Sequence, residues 1–217
     1  MRTDRPALIL KRLAVVILIW VLSLAACAAL VAFSFVRIDV PIALRFWAVS
    51  RLLRPLNEGF GAAVILSAES AVILFILVVR MVKGQISAFG ETLTIACLAS
   101  MCTYAINDHV LKVFFGVPSP ADVIHGARHG FHLWMGSGSS SFPSGHMALA
   151  GAFAGVFMRL YQASIWPLSA LLVLAAGLLL VGDWHFLSDI IAGVFFGISA
   201  GTLAGEGRAV HSSTSDC

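Results

Sequence analysis

The chain has 217 residues, of which 59% are hydrophobic and only 12% charged, about half the charged share of soluble domains. That length predicts one domain, and the apolar excess, gathered in long blocks with short polar punctuation, excludes an ordinary soluble fold. A net charge of +3 is too weak to argue for a nucleic-acid partner, and four cysteines, with Cys217 at the last position, form neither a disulfide framework nor a prenylation box.

In chain order, Arg2, Arg5, Lys11 and Arg12 precede an apolar run from Leu13 to Phe35, about long enough to cross a bilayer. The basic flank places the N-terminus in the cytoplasm. Leu24-Ala25-Ala26-Cys27 resembles a lipoprotein cleavage box, but the apolar run continues past Cys27, which favours an uncleaved span. From Arg37 to Glu58 the residues Ile42, Phe46, Val49, Leu53 and Leu56 recur at helical spacing, while Ser50, Arg51 and Arg54 fall off that stripe. The pattern predicts a helix lying in the membrane interface or packed on the protein itself.

A second span is predicted from about Gly61 to Val82 and contains Glu69 between Ser67 and Ser70. A carboxyl group inside a span is a functional candidate; hydrogen-bonded helix–helix contact is the competing and favoured role. The third span runs from about Glu91 to Phe115 and ends with Asp108 and Lys112 four residues apart, a spacing at which they pair on a helix. Gly116 to Pro120 then breaks the helix. The loop from Ala121 to Ser141 carries Asp122, His125, Arg128, His129 and His132. Its three histidines lack the spacing of a structural metal site, so a solvated loop without metal is expected. The remaining spans are expected at His146–Tyr161, Trp166–Val181 and His185–Gly205. The prediction is therefore an all-α, polytopic membrane protein: a six-helix bundle over residues 1–205, a polar and disordered tail over 206–217, and both termini inside. Arg37, Arg45, Arg51 and Arg54 lie outside in this topology, so the charge bias is modest.

The Gly/Ser run from Gly136 to Ser141 leads into Phe142-Pro143-Ser144-Gly145-His146. Pro143 suits the first helical position, Ser144 can cap, and Gly145 allows close approach of a ligand. A helix N-terminus of this kind favours an anion such as phosphate, with His146 at its edge as a proton donor. Further on, His185 and Asp189 are four residues apart and share a helix face. There a carboxylate can hold one ring nitrogen and leave the other as a nucleophile. In the six-span topology Lys112, His146 and His185 lie on one membrane face.

Taken together these motifs resemble the phosphatidic acid phosphatase type 2 superfamily, over about residues 60 to 205. The family's first motif, a lysine, six residues and Arg-Pro, appears as Lys112 through Ser119-Pro120. The second, Pro-Ser-Gly-His, is complete at Pro143 to His146. The third, Ser-Arg, five residues, His, three residues and Asp, keeps His185 and Asp189. The departures are Ser119 and Leu178-Leu179, which remove both arginines that would clamp phosphate oxygens. The resemblance implies a hydrolase acting on a lipid phosphate without cofactor or metal. In that scheme His185 is the nucleophile, Asp189 its orienting carboxylate and His146 the general acid, while Lys112, Ser144 and Gly145 bind phosphate. Arg128 is the expected stand-in for a missing arginine, and Asp183 adds unwanted negative charge or pairs with Arg128 or Lys112. The expected location is the plasma (inner) membrane, multi-pass, with the site facing the periplasm or exterior. A lipid phosphotransferase and a non-enzymatic carrier remain as alternatives on the same scaffold.

Overall fold

The computed structural model describes residues 5–59 and 61–215, with side chains over 14–52 and 61–208. The basic residues Arg2, Arg5, Lys11 and Arg12, the stripe positions Leu53 and Leu56 with Arg54, and Cys217 fall outside the described side chains. Among the described residues helix is the only regular structure, with no strands. Its elements are α1 (Arg5–Arg37), α2 (Asp39–Gly59), α3 (Ala62–Lys83), α4 (Ala88–Ile106), α5 (Lys112–Phe115), α6 (Pro120–Ile124), α7 (Gly145–Leu160), α8 (Ile165–Val181) and α9 (Leu187–Ser215). A π-helical turn, Asn107–Leu111, joins α4 to α5, and a 3-10 turn, Gln162–Ser164, precedes α8. The chain is a polytopic membrane protein. Five stretches are long and apolar enough to cross a bilayer, within α1, α3, α4–α6, α8 and α9. The expected fourth span, α7, is a shorter apolar helix of 16 residues, about 24 Å at 1.5 Å per residue.

The core lies among α7, α8 and α9, where Met147, Ala154, Leu172, Leu179 and Ile190 pack together. α7 and α9 approach closely because glycines recur every fourth residue on α9. A Cβ at Gly197 would lie 2.3 Å from the Ala148 carbonyl oxygen, and one at Gly201 would lie 2.1 Å from that of Ala152. Such small-residue seams bring helix backbones together where lipid removes the hydrophobic drive for association. α4 joins this pair through the Ser100 hydroxyl, which donates to the Leu149 carbonyl at 3.1 Å. α1 instead presents its apolar side chains outward: none of its spanning window is buried against protein.

α2 buries Asp39, Ala43 and Ser50, whereas Val49 of the apolar stripe is exposed, and Trp47 meets the His125 ring at 5.3 Å; the helix thus packs one face on the protein and leaves apolar side chains outward. One expectation is corrected: the last helix does not stop at Gly205. It runs to Ser215, and charge holds the segment that looked like a tail: Arg159 pairs with Glu206, and Arg208 with Glu91 at 3.0 Å.

The glycine seam generates a test. Gly197→Leu forces side-chain atoms into the α7 backbone and should cost the protein at least about 3 kcal/mol, beyond ordinary overpacking. Gly177→Ala on α8 meets nothing within 4 Å and should be neutral or stabilising by about 1 kcal/mol. Thermal unfolding in detergent distinguishes the two.

Candidate active site

The site is built where α7 and α9 begin. Ser144 is the N-cap of α7, its hydroxyl accepting from the Met147 N–H at 3.4 Å. Gly145 is therefore the first helical residue, and Pro143 precedes the cap rather than opening the helix as expected. The Ser144 N–H donates to the Asp189 carbonyl at 3.0 Å, which docks the Pro-Ser-Gly-His segment directly on α9. Asn107 supports the same segment from the π turn, donating from Nδ2 to the Pro143 carbonyl at 3.1 Å.

Asp189 is fully buried. Its Oδ2 accepts from the Phe186 N–H at 2.8 Å, half of a capping box at the start of α9, and from the Ser141 hydroxyl. His185 Nδ1 stands 3.6 Å from the same oxygen, about 0.6 Å longer than a normal N–H···O bond. On the other side of that ring, Nε2 lies 3.5 Å from Nδ1 of His146. The structure thus brings His146, His185 and Asp189 together in the order expected. His146 and His185 line a cavity of about 340 Å³ with Trp47, Ser50, Ser119 and Asp183.

The expected phosphate-binding residues fare differently. Lys112 is buried and donates to Asp108 Oδ1 and to the Gly138 carbonyl, both at 2.9 Å. The pair with Asp108 was expected; the bond that pins the Gly/Ser loop was not. Ser144 and Gly145 are buried behind the cavity wall, with Gly145 so close to Tyr104 that a Cβ would lie 3.0 Å from its ring. Arg128 is exposed and is not among the cavity's lining residues, so its guanidinium reaches the histidines only after a loop movement. Of the two positions that lack an arginine, Leu179 is a core residue. Ser119 faces the cavity, but its hydroxyl is bonded to Asp122 at 2.6 Å and caps α6.

The three loop histidines are separated rather than simply solvated. His125 contacts the Ala121 carbonyl at 2.7 Å, and His132 lies 3.2 Å from that of Gly116. His129 is tucked in, stacked on Phe35 at 4.1 Å and 4.6 Å from the Phe186 ring. Burial lowers the His129 pKa, against the pull of nearby Asp189. Among the described residues no group of three or more His, Cys, Asp or Glu is placed to hold a metal.

Two carboxylates complete the site. Asp39, at the start of α2, accepts from the Ser188 N–H at 3.1 Å and from its hydroxyl at 2.5 Å. It thereby caps α9 from 149 residues away, and its Oδ2 lies 3.7 Å from His129 Nε2. Burial raises its pKa to about 6, with the Ser188 bonds opposing and the charge of Asp189 adding. Sequence reasoning missed Asp39, because only an Asp at a helix start was visible. Asp183 was noticed, but neither expected partner reaches it: its Oδ2 is buried with no hydrogen-bond partner among the described residues. It sits at φ 57°, and burial raises its pKa to about 6.

Both carboxylates give testable consequences. Asp39→Ala orphans the first N–H groups of α9 and should cost about 1–3 kcal/mol, with Asp39→Asn losing less, read by unfolding in detergent. For Asp183 the folded pKa lies above the unfolded one, so its stabilising contribution is complete below about pH 4 and is lost as pH rises through about 6. Asp183→Asn keeps the left-handed backbone, which Asn tolerates, and removes the charge. It should therefore unfold later than the parent at pH 8, by on the order of 2 kcal/mol, and show no such advantage at pH 4.

No curated protein and no solved structure matches the chain significantly. A family model described as the PAP2 superfamily matches residues 92–206, a stretch that contains α4 through most of α9 and both catalytic-type histidines. With more than half of its length covered by that match, the chain belongs to the PAP2 superfamily, whose members are generally phosphatases acting on phosphate esters.

Proposed function

We propose that this protein is a membrane lipid phosphate phosphatase that removes a phosphomonoester or diphosphate headgroup through a phosphohistidine. The observation that carries the reading is His185 standing between a buried carboxylate and a second histidine, at the wall of a cavity. Asp189 beside Nδ1 favours the tautomer with its proton there, leaving the Nε2 lone pair, now facing His146 Nδ1 at 3.5 Å, as the nucleophile.

In the first step Nε2 of His185 attacks phosphorus, the bond from phosphorus to the leaving oxygen breaks, and His146 gives that oxygen a proton. The imidazole gains positive charge, which Asp189 offsets. In the second step water attacks phosphorus, the P–N bond breaks, His146 takes a proton from the water, and phosphate leaves. The α7 N-terminus and the charge of Lys112 supply positive potential for the equatorial oxygens. The Gly145 N–H and the Ser144 hydroxyl are further donors if the loop opens, and Arg128 is the one cation its sequence can add.

A lipid substrate is favoured by an apolar groove of about 640 Å³ between α1 and α9, with Trp20, Leu30, Ile190 and Val194 among its walls. Ile190 follows Asp189 directly, so an acyl or prenyl chain in the groove would hold its headgroup near His185.

Purified protein is to be assayed against a panel of lipid mono- and diphosphates for phosphate release. His185→Ala should lose at least about a thousandfold in kcat/KM, and His146→Ala should accumulate acid-labile phosphoprotein when the leaving group is a good one. Undiminished turnover in His185→Ala would sink the nucleophile assignment.

A further inference from the structure

A further pocket, of about 460 Å³ and open at the bundle surface, lies between α3, α4, α7 and α8. That volume is in the range of ligand pockets. Its walls are apolar apart from Glu69, with Leu93, Cys97, Phe153 and Leu172 among them. Glu69 is only 7% exposed, and its Oε2 is buried with no hydrogen-bond partner among the described residues. A buried polar atom without a partner is costly, and more so at membrane depth. Glu69 also takes a side-chain hydrogen bond from Ser100 on α4, so it joins two helices and still leaves Oε2 without a partner among the described residues. The cavity also borders the catalytic helix: Leu149 and Ala150 line it, one turn of α7 below His146.

An apolar chain ending in one hydroxyl fits this pocket. A hydroxyl both donates and accepts, so it pairs with the carboxyl group whether or not that group carries its proton. A phosphate does not: among the described residues no cation lines the cavity, so its charge would be buried uncompensated, and an ionised carboxylate would add repulsion. We propose that the Glu69 pocket is a binding site for a lipid alcohol, and that it receives the dephosphorylated product of the neighbouring site. The product role rests on the phosphatase reading above; the binding site itself does not.

The test uses three diazirine-bearing probes of equal chain length, a primary alcohol, its phosphate monoester and the plain alkane, with labelled positions mapped by mass spectrometry. The alcohol is expected to label residues of the pocket such as Leu93, Cys97 and Phe153, with the phosphate and alkane labelling them about tenfold less, the scale of one buried hydrogen bond. Glu69→Leu should lower alcohol labelling to the alkane's level, while Glu69→Gln, which still hydrogen-bonds, should keep most of it. Glu69→Leu replaces a buried polar group that lacks one partner by an apolar one and is expected to fold; the alkane comparison in the parent protein stands whether it does or not. Equal labelling by alcohol and alkane, or no labelling of the pocket, would overturn the proposal. Labelling is read in His185→Ala protein as well, so that failure of the phosphatase reading appears in turnover and failure of the pocket appears in labelling.

Discussion

The buried carboxylate of Asp189 is the constraint on which the site depends. A carboxylate without solvent is tolerable only when protein donors replace water. Here the donors come from the Ser141 hydroxyl and the Phe186 N–H, and the backbone carbonyl of Asp189 takes the Ser144 N–H. These bonds clamp the Gly/Ser loop, the start of α7 and the start of α9 to each other, although Asp189 Oδ1 itself has no hydrogen-bond partner among the described residues. The outer ring of bonds, Lys112 to Gly138 and Asn107 to Pro143, keeps those segments in place. The glycine seam then sets the distance between α7 and α9 that lets the two histidines face one another.

Negative charge is the second organising problem. On the proposed reading Asp39, Asp183 and Asp189 crowd the end of the bundle where a phosphate would sit, and Leu179 and Ser119 stand where the resembled family motifs have arginine. Burial relieves part of the conflict by raising Asp39 and Asp183 to about 6, so that each is partly protonated near neutrality. Lys112 is buried against Asp108, a pairing that offsets its charge but fixes its position. On the proposed reading, the enzyme relies on placed dipoles and one constrained lysine rather than on a bidentate clamp.

How far this was legible in the sequence depended on distance along the chain. The helices followed from unbroken apolar runs, the Ser144 cap from a local pattern, and the His185–Asp189 and Asp108–Lys112 pairs from helical spacing, because each is decided within a few residues. Asp39 was not legible: its partner is Ser188, and nothing around Asp39 signals a contact across the whole fold. The continuation of α9 past Gly205 was not legible either, because the pairs along it join distant segments: Arg159 on α7 with Glu206, and Arg208 on α9 with Glu91 on α4.

A lipid phosphatase in a bilayer faces a separation problem that soluble enzymes escape. Its substrate and product share the same apolar chain, so neither the groove along α1 and α9 nor any other apolar surface can tell them apart by hydrophobic contact. Only the head differs, by a phosphate's charge against a hydroxyl. Discrimination must therefore come from a polar group placed at depth, where a dielectric too low to screen makes one charge decisive. Glu69 is such a group, with Oε2 left without a partner among the described residues, one helix turn from the level of His146 on α7. On the proposed reading a carboxyl in an apolar pocket shuts out a charged headgroup and bonds a hydroxyl, which would draw the product out of the reaction cavity without opening that cavity to water.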